Sequence, residues 1–153
     1  MILKDWMSKT NIVIDSGVLL EYYKLLLEVS KKNNVKERFK LFSDFLENKK
    51  LYVVPQVFAE IYSLLKRDAK KMESKLSYWL GKLRAHFSYL IEIHISKDDI
   101  LEDNSFLKFG FTDIALSKVI HKDWIFLSND QSLINLCNFE GLEAHHIEEI
   151  YFL

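Results

Sequence analysis

Proline, glycine and cysteine are scarce in this 153-residue chain: one Pro, four Gly and one Cys. So few turn formers exclude sandwiches, barrels and other turn-rich folds. The single cysteine, Cys137, excludes an internal disulfide framework and any multi-cysteine zinc or iron–sulfur site. It fits a reducing compartment and reads as a small buried hydrophobe. No stretch approaches the ~20 apolar residues of a membrane span. Residues 1–11 carry Lys4, Asp5 and Lys9 and lack the apolar run of a secretory signal, so the expected location is the cytoplasm. Repeats, low-complexity tracts and linkers are missing too, and residues 1–153 read as a single domain. Hydrophobic residues make up 49% and charged residues 28%, which excludes disorder. A chain this long buries roughly 68–70% of its unfolded surface.

The net charge of −1 hides a split. Residues 1–84 hold 17 Lys+Arg and 10 Asp+Glu; residues 85–153 hold 4 and 12. Such asymmetry points towards a nucleic-acid partner, unless the two halves interleave in the fold.

Short β-branched runs alternate with helical periodicity. Strands are predicted at 11–14, 51–54, 90–95, 124–127 and 142–147. Helices are predicted at 18–30, 35–48, 55–71, 73–87, 113–121 and 129–138. Lys31-Lys32-Asn33-Asn34 reads as the connection between the first two. Pro55 suits a first helical turn. Thr112 is placed to cap the helix of Asp113, and Gly141 to stop the last helix. The acids Asp98, Asp99, Glu102 and Asp103 read as a solvated loop. The pattern predicts an α/β fold, three layers α/β/α, with a mostly parallel sheet of about five short strands.

Ligands of such sheets bind beyond the carboxyl ends of the strands. Two predicted strands run into acids there, Ile14 into Asp15 and Leu127 through Ser128-Asn129 into Asp130. Glu60 and Asp113 fall near helix starts. Four acids whose segments hold no Lys or Arg repel one another unless a cation joins them. Hard carboxylate oxygens suit Mg²⁺, and paired ions of this kind support phosphodiester hydrolysis by activated water.

Asn11-Ile12-Val13-Ile14-Asp15-Ser16, Val54-Pro55 through Glu60, Thr112-Asp113-Ile114-Ala115-Leu116 and Leu127-Ser128-Asn129-Asp130 together resemble the four sequence blocks of PIN domains. These are the nuclease domains of VapC-type toxins and RNA-processing factors. The order matches, with 45, 53 and 17 residues between successive acids. The resemblance implies that Asp15, Glu60, Asp113 and Asp130 hold Mg²⁺ or Mn²⁺ and form the catalytic set. Ser16, Ser128 and Asn129 would support them by hydrogen bonding. It further implies single-stranded RNA as substrate, an antitoxin protein as a possible partner, and a homodimer. Two positions depart from the family pattern: Gly17 stands where a polar helper is common, and Ile114 where the third block has a small residue.

The expected activity is metal-dependent endoribonuclease, as a toxin or an RNA-processing enzyme. The competing expectation is an inactive PIN-like module that binds RNA or protein. Asp15-Ser16-Gly17 lacks the second Asp of haloacid-dehalogenase phosphatases, and no Gly-Lys-Ser/Thr marks a P-loop. Lys66, Arg67, Lys70 and Lys71 follow Glu60 and are expected to guide the RNA backbone, with a solvated helix face as the alternative. His145-His146 cannot readily share a metal, because adjacent strand residues point to opposite faces.

Overall fold

The computed structural model describes residues 5–28, 33–71 and 76–152; the side chains of 27, 28, 33, 68–71, 76–80 and 83 are not among what it describes. Five parallel strands form one sheet: β1 (Asn11–Ile14), β2 (Lys50–Val53), β3 (Ile91–Glu92), β4 (Ile125–Ser128) and β5 (Ala144–His146), in the order β3-β2-β1-β4-β5. Ile12, Val13 and Ile14 of β1 are buried, as is all of β4. Strands covered on both faces need apolar side chains at every position rather than alternate ones, which explains these short continuous runs.

The helices are α1 (Ser16–Glu28), α2 (Asn33–Leu46), α3 (Pro55–Lys71), α4 (Leu76–Phe87), α5 (Lys97–Leu101), α6 (Phe106–Phe109), α7 (Phe111–Val119) and α8 (Gln131–Phe139). Parallel strands joined by right-handed crossovers put α1–α4 on one face of the sheet and α5–α8 on the other. The packing agrees: α1 lies against α2 and α3, and α7 against α5 and α6. The chain thus forms the three-layer α/β/α fold. Its core runs through both layers, with Phe42 and Ile61 on one side and Ile114, Leu116 and Leu133 on the other.

Several predicted elements differ from the structure. The third strand is not 90–95; only Ile91 and Glu92 pair, with Tyr52 and Val53. The backbone N–H of Ile93 adds one bond to the Val53 carbonyl at 2.9 Å. Beyond Val53 the chain turns into α3 at Pro55, so no partner backbone remains for a longer ladder.

The acids at 98–103 do not form a loop. Ser96 caps α5 by accepting from the Asp99 N–H at 3.2 Å, and Asp98 and Asp99 sit at its positive end. Asp103 pairs with Lys118 of α7 at 3.0 Å. Thr112 lies inside α7 rather than capping it. The cap is Gly110, whose φ of 85° lets the chain reverse between α6 and α7. Gly141, at φ 82°, follows the end of α8. Asn33 and Asn34 of the predicted connection open α2, while Lys31 and Lys32 lie outside the described residues, as do residues 73–75 at the start of the predicted 73–87 helix.

Candidate active site

Strand order decides where the acids meet. The chain leaves β1 towards β2 and leaves β4 towards β5, in opposite directions along the sheet. The crevice between their carboxyl ends is the switch point at which ligands of open parallel sheets bind. Asp15 follows β1 and Asp130 closely follows β4.

The two acids share a second task. Asp15 Oδ1 accepts from the Val18 N–H at 2.9 Å, at the start of α1. Asp130 Oδ1 accepts from the N–H groups of Ser132 and Leu133 at 3.0 and 3.2 Å, capping α8. A strand-end aspartate that caps the next helix is held by backbone rather than by side-chain rotamer alone. Capping and chemistry are compatible readings, because the bonds to the helix N–H groups engage Oδ1 alone.

Ser128 ties the pair together. Its hydroxyl donates to Asp15 Oδ2 and accepts from the Asp130 N–H at 2.9 Å. Ser16 donates to Glu60 Oε2 at 2.7 Å, linking the start of α1 to α3. Exposure grades across the site: Asp15 is buried, Glu60 and Asp113 are half-buried, and Asp130 is exposed.

Electrostatics confirm the proximity. Burial pushes the Asp113 carboxyl up to about 6, and the charges of Asp130, Asp15 and Glu60 push it the same way. Burial also raises Asp15, with Asp130 and Glu60 adding to the effect, against the lowering by the hydrogen bonds from Ser128 and Val18. Every charge acting on Asp113 and Asp15 among the described residues is a carboxylate. The structure therefore brings Asp15, Glu60, Asp113 and Asp130 within electrostatic range of one another. It does not close them up: no group of three or more His, Cys, Asp or Glu among the described residues is arranged to hold a metal ion. The donor set nevertheless fits a hard divalent cation, with carboxylate oxygens in excess and no ammonium or guanidinium contributing.

The Gly17 departure has a structural account. A Cβ at Gly17 would stand 2.3 Å from Asn129 Oδ1 and 2.7 Å from its Nδ2. The Asn129 amide occupies the space that a side chain at position 17 would fill, so a polar group is supplied from β4–α8 instead of α1. Spacing within either block alone could not reveal this. Gly17→Ala is expected to retain the fold, since residue 17 is helical and Ala is the better helix former by about 1 kcal/mol. The Asn129 amide must swing away. Thermal melting within a few degrees of wild type, with altered activity, is the expected outcome; unaltered activity would remove Asn129 from the supporting set.

Ile114 is fully buried in the α7 core, accommodated rather than crowded out. His145 stacks on Trp6 with centroids 4.2 Å apart and sits between Glu143 and Glu149 at 3.2 and 3.0 Å. His146 caps the final turn by accepting from the Glu148 N–H at 3.1 Å. Each histidine has its own structural work.

Lys66 and Arg67 are exposed on α3. Lys70 and Lys71 lie on the same helix, with side chains outside those described. At ~100° per residue, Arg67 falls within about 20° of the Glu60 face and Lys66 about 120° away. The four basic positions therefore cannot contribute equally at the crevice.

No family model matches the chain, and no curated protein does. Among solved structures the chain is similar to a domain of a functionally unknown protein from Methanocaldococcus jannaschii DSM 2661. The identity is 17% and the TM-score 0.47, over 90% of this chain and 91% of that one. Among the described residues no helix is long and apolar enough to cross a membrane.

Proposed function

We propose that this protein is a PIN-type endoribonuclease that cuts single-stranded RNA at the crevice between β1 and β4. The observation that carries this reading is the accumulation of four carboxylates at the switch point of the sheet, where burial first, and then the charges of Asp130, Asp15 and Glu60, push the Asp113 carboxyl up to about 6. A structural role alone would favour pairing with cations, as Asp103 and Glu143 pair with Lys118 and Lys9 elsewhere in the chain.

In this mechanism Asp15, Glu60, Asp113 and Asp130 would hold Mg²⁺ or Mn²⁺, which when bound supplies an activated water and stabilises the developing charge on the phosphate. Ser128 fixes Asp15 and the start of α8 relative to each other. Ser16 fixes Glu60. Asp130, exposed at the rim, meets solvent and substrate first. Arg67 lies roughly 10 Å along α3 from Glu60, a reach of one or two nucleotides. Its role is to attract the RNA backbone, with Lys66, Lys70 and Lys71 adding to the field. Arg67→Ala is expected to lower the salt dependence of RNA binding more than Lys66→Ala; equal slopes for the two variants would make this helix a general solvated face.

The test is cleavage of a mixed single-stranded RNA pool with Mn²⁺ and with EDTA. Cleavage that needs Mn²⁺ supports the nuclease. Binding without cleavage in any metal supports the second reading, an inactive RNA- or protein-binding module, which the unclosed arrangement of the acids favours. Toxin or RNA-processing duty, an antitoxin partner and a homodimer belong to the same proposal and rest on the sequence resemblance.

A further inference from the structure

Two of the most exposed hydrophobic side chains lie on the two helices that border one open groove. Phe139 on α8 is 91% exposed and Leu107 on α6 is 93% exposed. Ser105, Lys108, Phe109, Ser132, Asn135, Leu136 and Phe139 line this groove of about 440 Å³. On α8, positions 132, 135 and 139 recur at helical spacing and form one outward stripe. The Lys108 ammonium stands 5.2 Å from the centre of the Phe109 ring.

The groove is lined by segments that also carry two of the candidate site acids. Ser132 lies two residues after Asp130, and its N–H is bound by that carboxylate at 3.0 Å. On the other wall, Phe109 is four residues before Asp113, across the Gly110 reversal.

The lining identifies the chemistry. A flexible single strand is gripped by aromatic faces for its bases and by cations and hydroxyls for its backbone. Phe139 and Phe109 supply rings, Lys108 a cation, and Ser105, Ser132 and Asn135 hydroxyl and amide groups.

We infer that the α6–α8 groove is a nucleotide-binding subsite, in which Phe139 stacks on a base of a single-stranded RNA and Lys108 contacts its backbone. This rests on the RNA reading of the adjacent acids and gives the substrate a path on the face of the sheet opposite α3.

The test measures binding of a short fluorescein-labelled single-stranded RNA of mixed sequence in EDTA, where no cleavage intervenes. A lost stacking contact is worth about 1–3 kcal/mol, so Phe139→Ala is expected to weaken Kd by roughly 5- to 150-fold. Phe139→Trp should keep binding at or above wild type. Lys108→Ala should lower the slope of log K against log salt by about 0.7. Phe139 is a surface residue, so melting temperatures should match the wild type and exclude misfolding. Wild-type binding by Phe139→Ala, with Mn²⁺-dependent cleavage intact, overturns the subsite and leaves the nuclease reading standing. Loss of cleavage in the wild type with Phe139-dependent binding does the reverse. If Phe139→Ala leaves RNA binding intact but changes the sedimentation of the protein, the groove is a protein interface and the inference fails.

Discussion

Asp15→Asn is expected to abolish RNA cleavage while leaving the fold intact. The loss should be on the order of 10³-fold or more, the scale seen when a group central to a catalytic unit is removed. The fold survives because the hydrogen-bond pattern can be rebuilt. The Asn carbonyl oxygen accepts from the Val18 N–H as Asp15 Oδ1 does now. The Asn amide then donates to Ser128 Oγ, whose hydroxyl proton rotates away. Removal of a charge that burial and two neighbouring acids oppose offsets the weakened bonds. The check is a cleavage assay in Mn²⁺ beside a melting curve. Retained cleavage would sink the catalytic role of Asp15. A collapsed melting temperature would show a structural carboxylate instead.

The second large effect is on stability, at Asp113. Burial, with the neighbouring acids, pushes its carboxyl up to about 6 in the folded chain, above the 3.8 of an ordinary aspartate. The folded state therefore binds the proton more tightly than the unfolded state. From this group alone, stability is fullest below about pH 4 and declines as pH rises to about 6 and beyond. A difference of this size amounts to at most about 3 kcal/mol, and less for a half-buried group screened by water. Asp15 acts in the same direction. Asp103 and Glu143, held below the usual carboxylate range by hydrogen bonding to Ser105 and Lys118 and to Lys9 respectively, act oppositely. The wild-type profile thus mixes both signs, and the informative quantity is the difference between wild type and Asp113→Asn. That variant is expected to be more stable at pH 7 by about 1–3 kcal/mol, and the advantage should vanish towards pH 4. Several degrees of melting temperature at this chain length would report it. Millimolar Mg²⁺ or Mn²⁺ should raise the wild-type melting temperature at pH 7 and the variant's less, since the cation relieves the same repulsion and binds only the native state. An advantage of the variant that persists unchanged at pH 4 would show that the gain has nothing to do with charge.

Local chemistry made much of this readable. Ile12-Val13-Ile14 and Ile125-Phe126-Leu127 are uninterrupted apolar runs, and only a strand buried on both faces explains runs that short. Pro55 marks the first turn of α3 because a first-turn residue needs no N–H partner. Asp15 and Asp130 stand at ends of elements and Glu60 and Asp113 within the first turns of helices, close to where side chains leave the layers.

What local pattern could not carry was anything set by a distant partner. The run 90–95 alternates well, yet its pairing stops at Glu92 because β2 turns away after Val53. The acids at 98–103 look like a loop, but Ser96 caps a helix there and Lys118 of α7 gives Asp103 a tertiary partner. Gly17 looks like a missing group until Asn129 from another block is seen in its place. By itself the sequence determined the kind of each main element, the α/β class and the presence of acids at strand ends. Tertiary structure alone decided that β1 and β4 are neighbours, that Ser128 bridges their acids, and that residues of the α6 and α8 segments line one open groove. The physical reason is range: periodicity and capping act over a few residues, whereas strand order and the burial of one charge beside another are settled only when segments up to 115 positions apart, such as Asp15 and Asp130, share one crevice.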